Sequence, residues 1–145
     1  MHSLPKPPPL QFEYHSNWVL YADEHIIVVN KPSGLLSVPG RGPERYECLA
    51  SHLASDYADV KIVHRLDMDT SGLMVVARSK EAHKHLSRQF QERQTQKSYH
   101  AICSGKPNLQ SGEINLPMRC DWDKRPLQMI DFKQGKCAQT YWKIL

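Results

Sequence analysis

A chain of 145 residues, 40% hydrophobic and 23% charged, has the make-up of one globular domain able to bury roughly two-thirds of its unfolded surface. Its 19 Lys and Arg against 15 Asp and Glu give a net charge of +4 and a pI near 8.9, compatible with a polyanionic partner without requiring one. No apolar run approaches the roughly 20 residues that span a bilayer, and the start of the chain lacks the apolar core of a signal peptide, so a cytoplasmic location with no membrane partner is expected.

Met1-His2-Ser3-Leu4-Pro5-Lys6-Pro7-Pro8-Pro9 opens a proline-containing flexible leader, residues 1–17, outside the fold. From 18 to 145 the sequence shows no repeat and no change of composition, so one domain is expected there. Trp18-Val19-Leu20-Tyr21 predicts a short strand, and Ile26-Ile27-Val28-Val29 a strong β-branched one. Lys31-Pro32-Ser33-Gly34 is a turn, after which Leu35-Leu36-Ser37-Val38 resumes extended; Pro39-Gly40-Arg41-Gly42-Pro43 is a loop. A helix is predicted over 46–57, with Leu49 and Leu53 on one face.

Val60-Lys61-Ile62-Val63 and Leu73-Met74-Val75-Val76-Ala77 predict strands on either side of a polar segment, 64–72. Ser79 is an N-cap for a helix over 80–93, whose buried side carries Ala82, Leu86 and Phe90. His83 and His85 stand two apart, point to different faces and read as solvated. Ser98-Tyr99-His100-Ala101-Ile102-Cys103 predicts a strand; after Gly105-Lys106-Pro107 the signal weakens until Thr140-Tyr141-Trp142-Lys143-Ile144. Cys48, Cys103, Cys120 and Cys137 occur singly, without the paired spacing of a zinc site, and read as reduced, mostly structural thiols. Strands dominate, two helices interrupt them and strict β-α-β alternation is missing. The expected fold class is therefore α+β, with a mixed, largely antiparallel sheet and flanking helices.

The segment His64-Arg65-Leu66-Asp67-Met68-Asp69-Thr70-Ser71-Gly72 carries the chemistry. It offers a carboxylate, a second acid, a guanidinium and an imidazole where one strand ends and the next begins. The Thr70 and Ser71 hydroxyls and the Gly72 backbone are suited to close the loop through local hydrogen bonds. An isolated Arg-x-Asp more often marks a capped turn with a surface ion pair than an active site. The whole string decides otherwise. His64-Arg65-Leu66-Asp67-x-x-Thr70-Ser71-Gly72 resembles the signature of the RluA-type pseudouridine synthases at every fixed position. Ile27-Val28-Val29-Asn30-Lys31-Pro32-Ser33-Gly34-Leu35 is similar to that family's opening strand and turn. Further similarity lies at Gln89-Phe90, Lys97-Ser98-Tyr99, Asp121-Trp122 with Arg125-Pro126, and Gly135-Lys136-Cys137-Ala138-Gln139-Thr140.

The resemblance implies the pseudouridine synthase catalytic fold and the isomerisation of a specific uridine in structured RNA, in large-subunit ribosomal RNA, a tRNA anticodon stem-loop or both. It assigns Asp67 as the catalytic carboxylate acting beside ribose C1′, either attacking that carbon or assisting loss of the C2′ proton. It gives Arg65 the space vacated by the extruded base and lays Tyr99 against the uracil ring. His64, Thr70, Ser71 and Gly72 would support the loop, and Asp69, at a variable position, would be a solvated acid. Lys31, Arg41, Arg45, Lys84, Arg88, Arg93 and Lys97 are candidate phosphate contacts. No metal and no cofactor are implied, and a monomer is expected.

The family's third run, of the Gly-Arg-x-His-Gln-x-Arg type, does not occur in the 145 residues. Its arginine would pair with the catalytic aspartate, so the sequence reads as truncated at its C-terminus. A catalytically impaired fragment, or an RNA-binding remnant of the same fold, is the alternative expectation. A hydrolase using Asp67 or Ser71 with His64 ranks last, because no Gly-x-Ser-x-Gly elbow is present.

Overall fold

The computed structural model describes residues 12–42, 45–125 and 127–145. The leader's residues 1–11, which include its prolines, lie outside the described residues. The described residues form two compact units, one up to Ser98 and the other Tyr99–Leu145.

In the first unit, a 3₁₀ turn at Ser16–Trp18 leads into β1 (Val19–Ala22), which pairs with β2 (Ile26–Lys31) around a turn held by Asp23. The Asp23 carboxylate accepts the backbone N–H groups of His25 and Ile26, each at 2.7 Å, and the Tyr21 hydroxyl at 2.9 Å. These bonds hold its carboxyl below the usual carboxylate range. β4 (Gly72–Ala77) pairs along the full length of β2, and β3 (Lys61–Ile62) covers the other edge of β4. The sheet order is β1-β2-β4-β3, antiparallel throughout. Leu36 makes only an isolated parallel bridge to Cys48, so the extended run expected at 35–38 does not become a strand.

Alternation along the strands places the core. Ile27 and Val29 of β2 stand opposite Val76 and Met74 of β4, and all four are buried on one face. Helix α1 (Leu49–Asp56) packs Leu49 and Leu53 into the same cluster, joined by Leu35 and Leu66. The shared face of those two leucines was legible from their spacing; the start of the helix was not. Cys48 is the N-cap: its Sγ accepts the Ser51 N–H at 3.4 Å, while the Ser51 Oγ accepts the Cys48 N–H at 3.0 Å. All four cysteines are free thiols: Cys48 is buried, Cys120 is intermediate, and Cys103 and Cys137 are exposed.

Phe12 and Tyr14 also pack against the core, and Tyr14 stacks on His52 at a ring-centroid distance of 5.7 Å. The leader expected to reach residue 17 is thus tied down from residue 12 onward. The reason is the run of aromatic side chains, Phe12, Tyr14 and Trp18, whose burial outweighs the freedom of a short polar tail.

Helix α2 (Lys80–Gln91) packs against β3 and β4. The Ser79 hydroxyl accepts the Ala82 N–H at 3.0 Å, the cap expected from sequence. The helix stops before Arg93 because Arg93 takes a left-handed conformation (φ 56°) just after the C-cap Glu92. Ala82, Leu86 and Phe90 are half-buried. His83, expected to be solvated, is half-buried with its Nε2 3.2 Å from the Ile62 carbonyl, because its position on the helix faces β3.

The second unit contains two antiparallel pairs: β5 (Ser111–Asn115) with β8 (Gln139–Lys143), and β6 (Met118–Cys120) with β7 (Gln128–Ile130). The last strand matches the one expected near Thr140, whereas β5, β6 and β7 were not legible in the sequence. The expected strand at 98–103 does not form. No described segment pairs with it, and Tyr99 and Ile102 stand exposed, so there is neither a ladder nor a buried face to hold it extended. The Arg119–Asp131 ion pair closes the β6–β7 hairpin at 2.5 Å, and with two backbone N–H groups it holds the Asp131 carboxyl down at about 2. Among the described residues no helix is long and apolar enough to cross a membrane.

Candidate active site

Asp67 lies in the loop between β3 and β4, and its setting follows from one buried residue. Leu66 inserts its side chain into the core at 8% exposure, while its neighbours Arg65 and Asp67 are exposed. The hydrophobic anchor between them fixes where the backbone runs, and the two charged side chains are left at the surface.

The loop backbone is held from outside the loop. The Ser37 Oγ donates to the Leu66 carbonyl at 2.7 Å and accepts the Leu66 N–H at 3.2 Å. The Met68 carbonyl accepts the Gly34 N–H at 2.8 Å and the Lys31 ammonium at 3.1 Å. The Ser33 hydroxyl donates to the Asp69 carbonyl at 2.7 Å, and only the Asp67 carbonyl is held within the loop, by the Thr70 N–H at 3.1 Å. Four successive carbonyls, 66 to 69, are therefore occupied, three of them by residues of the 31–37 segment. The Thr70 and Ser71 hydroxyls, expected to close the loop, make no hydrogen bond among the described residues; Thr70 acts through its backbone.

Lys31 was one of the candidate phosphate contacts, with a solvated charge as its alternative. Instead it is fully buried, and its Nζ donates to the carbonyls of Pro32 (2.9 Å), Leu35 (2.6 Å) and Met68 (3.1 Å). Burial pulls the ammonium below the ordinary lysine range, opposed by the negative charges of Asp69 and Asp67. The reason lies in the strand: Lys31 continues the inward alternation of Ile27 and Val29, so its stem enters the core and its head must find partners there. Of the other candidate phosphate contacts, Arg41, Arg45, Lys84, Arg93 and Lys97 are exposed. Arg88 is exposed and paired with Glu92 at 2.6 Å.

His64 is half-buried, stacked on Phe90 with centroids 4.3 Å apart, and its Nε2 accepts the Val75 N–H at 3.1 Å. The lone pair a general base would need is thus occupied by β4. Burial first, and then the positive charge of Lys97, lowers its pKa below 6.5. Between that lowered value and 6.5 the unfolded chain binds more protons, so stability rises with pH across this window and is lost on acidification. Urea melts at about pH 5 and about pH 7.5 are expected to show a larger acid loss for the parent than for His64→Gln, which keeps an acceptor for Val75 but cannot charge. An equal loss in both would rule out His64 as the cause.

Gly72, at the head of β4, has φ +127°, a conformation that side-chain-bearing residues rarely adopt, although a Cβ there would meet nothing within 4 Å. Gly72→Ala is therefore expected to cost about 1–2 kcal/mol through backbone strain alone, read as a lower urea midpoint at unchanged m-value. Tyr99 opens the second unit and is 61% exposed.

Asp67 is thus an exposed carboxylate two residues after the exposed Arg65, on a loop whose carbonyls from 66 to 69 are all bonded. Such a site suits chemistry in which charge develops on a bound substrate. The family described as RNA pseudouridylate synthase matches residues 25–145. The chain belongs to that family. It is 49% identical over 126 residues to the dual-specificity RNA pseudouridine synthase RluA of Vibrio parahaemolyticus, covering 87% of this chain and 50% of that protein. It is 48% identical over 127 residues to the protein of the same name in Escherichia coli, covering 88% of this chain and 58% of that one. The fold is similar to that of human RNA pseudouridylate synthase domain containing 4, with a TM-score of 0.67 at 25% identity over 90% of this chain and 54% of that one. The chain spans about half the length of these relatives.

Proposed function

We propose that the chain acts as an RNA pseudouridine synthase, with Asp67 as the carboxylate that works at ribose C1′. The observation that carries this reading is the pairing of an exposed Asp67 with a backbone held at every carbonyl from 66 to 69, in a chain of this family. The reaction is an isomerisation. The C1′–N1 bond breaks with its electron pair going to N1, and the positive charge left at C1′ is stabilised or captured by a carboxylate. The detached uracil turns and C5 bonds to C1′, a carboxylate that had captured C1′ leaving with its electron pair; the C5 proton then leaves and N1 ends protonated. One carboxylate suffices, because the base itself returns as the nucleophile. Arg65, exposed two residues before Asp67, is assigned to the place of the extruded base, and Tyr99 to the uracil ring, both on the family resemblance. Extrusion costs a few kcal/mol, least from a loop, which favours a folded stem-loop as substrate. The dual specificity named for the RluA relatives supports an RNA substrate of more than one kind; the targets proposed are large-subunit ribosomal RNA, a tRNA anticodon stem-loop, or both. The enzyme is cytoplasmic and monomeric in this reading, and needs no metal or cofactor.

Release of tritium from RNA labelled at uracil C5 tests the proposal. Release by the parent, and at least about a thousandfold less by Asp67→Asn, is expected. RNA retained on a filter without release by either would favour an RNA-binding remnant instead.

A further inference from the structure

We infer that Ser37 is a positioning residue for Asp67, acting through the backbone of Leu66. The inference rests on the functional reading above for its catalytic consequence, but its geometry stands independently. Ser37 is 3% exposed and lies in the 35–38 segment, which forms no strand. Its hydroxyl satisfies both polar groups of one peptide unit's residue, donating to the Leu66 carbonyl at 2.7 Å and accepting the Leu66 N–H at 3.2 Å. One side chain thereby replaces the two bonds that a paired strand would have supplied. Met74 Sδ lies 3.5 Å from the same oxygen, so the hydroxyl is enclosed by the core and cannot turn to solvent.

Leu66 is the residue between Arg65 and Asp67. Its side chain is locked by packing and its backbone by Ser37, so neither translation nor a peptide flip at Leu66 is free. Any such movement would swing both charged neighbours. Ser33 supplies a weaker, exposed counterpart two residues beyond Asp67, through its bond to the Asp69 carbonyl. The two serines grip the loop on either side of the carboxylate. Without Ser37 the buried Leu66 N–H and carbonyl lose their partner, and the loop relaxes to satisfy them elsewhere.

The experiment combines amide hydrogen exchange with tritium-release kinetics on the full chain, for the parent, Ser37→Ala, Ser33→Ala and Asp67→Asn. Ser37→Ala is expected to speed exchange of the Leu66 amide by about tenfold or more while the amides of Val29 and Val76 keep their protection. A merely structural loss would instead raise exchange across the sheet. In turnover, kcat is expected to fall by about 10- to 100-fold with KM within about twofold, since misplacement by an ångström costs rates of that order. Ser33→Ala, at an exposed position that does not threaten folding, is expected to lower kcat in the same direction by about threefold to tenfold, and it carries the test if Ser37→Ala does not fold. Unchanged exchange at Leu66, or a kcat within about twofold of the parent in both serine variants, would overturn the inference. A parent that releases no tritium defeats the functional reading alone; Leu66 exchange then decides whether the clamp exists.

Discussion

Replacing Asp67 by asparagine is expected to reduce tritium release by at least about a thousandfold, the scale on which loss of a nucleophilic or charge-stabilising carboxylate shows. Stability is expected to stay within about 0.5 kcal/mol of the parent, because the side chain is exposed and the loop is held through backbone groups the substitution leaves intact. The amide keeps the shape and loses the charge, so the positive centre at C1′ has nothing to meet it. Asp69→Asn provides the contrast. Its carboxylate is also exposed two residues away, and its carbonyl, not its side chain, is what Ser33 holds. A loss as large in Asp69→Asn as in Asp67→Asn would show that net loop charge, and not a placed carboxylate, drives the chemistry.

The largest effect on stability is expected at Lys31. Lys31→Ala removes a four-carbon stem from the core together with three bonds from the ammonium to the carbonyls of Pro32, Leu35 and Met68. The cost is expected to be about 3–5 kcal/mol, from lost burial of the stem and from carbonyls left without a donor. Lys31→Met separates these contributions. It keeps most of the buried stem and recovers the penalty of holding a charge in the core, so the cost is expected to drop to about 2 kcal/mol. The Met68 carbonyl still has the Gly34 N–H, which limits the damage to the loop. Urea denaturation of the two variants checks the ordering. Equal losses in Ala and Met would mean that the ammonium bonds dominate; a loss below about 1 kcal/mol in Ala would mean that Lys31 holds nothing.

The burial of Lys31 follows from alternation along β2 and not from its immediate neighbours. A lysine beside Pro-Ser-Gly looks like a solvated turn residue, and for most lysines that is the right expectation. The alternation Ile27, Val29, Lys31 was nevertheless present in the sequence and assigns Lys31 to the core face. Ser37 carried no comparable signal. A serine in a run of apolar residues is compatible with many surroundings, and its two bonds to Leu66 span 29 positions of chain. The same distinction separates the helices from the unpaired segment at 98–103. Ser79 caps α2 through a bond three residues away, which sequence spacing predicts, whereas the run from Ser98 to Cys103 had strand-forming residues but no partner to pair with.

The nine residues from His64 to Gly72 determined the family and the candidate carboxylate by themselves, because that string and its hydroxyl and glycine positions are local. Hydrophobic periodicity likewise determined β2, β4 and the buried faces of α1, since burial on one side of a strand or helix must recur at the period of that element. Only the tertiary structure decided what holds the loop: Lys31, Ser33, Gly34 and Ser37 rather than the neighbouring Thr70 and Ser71 hydroxyls. It also decided that His64 gives its lone pair to Val75, and that Phe12 and Tyr14 belong to the core. These are contacts between residues far apart in the chain. No local pattern encodes them, because their partners meet only when β2, β4 and the segment between them are packed on one core.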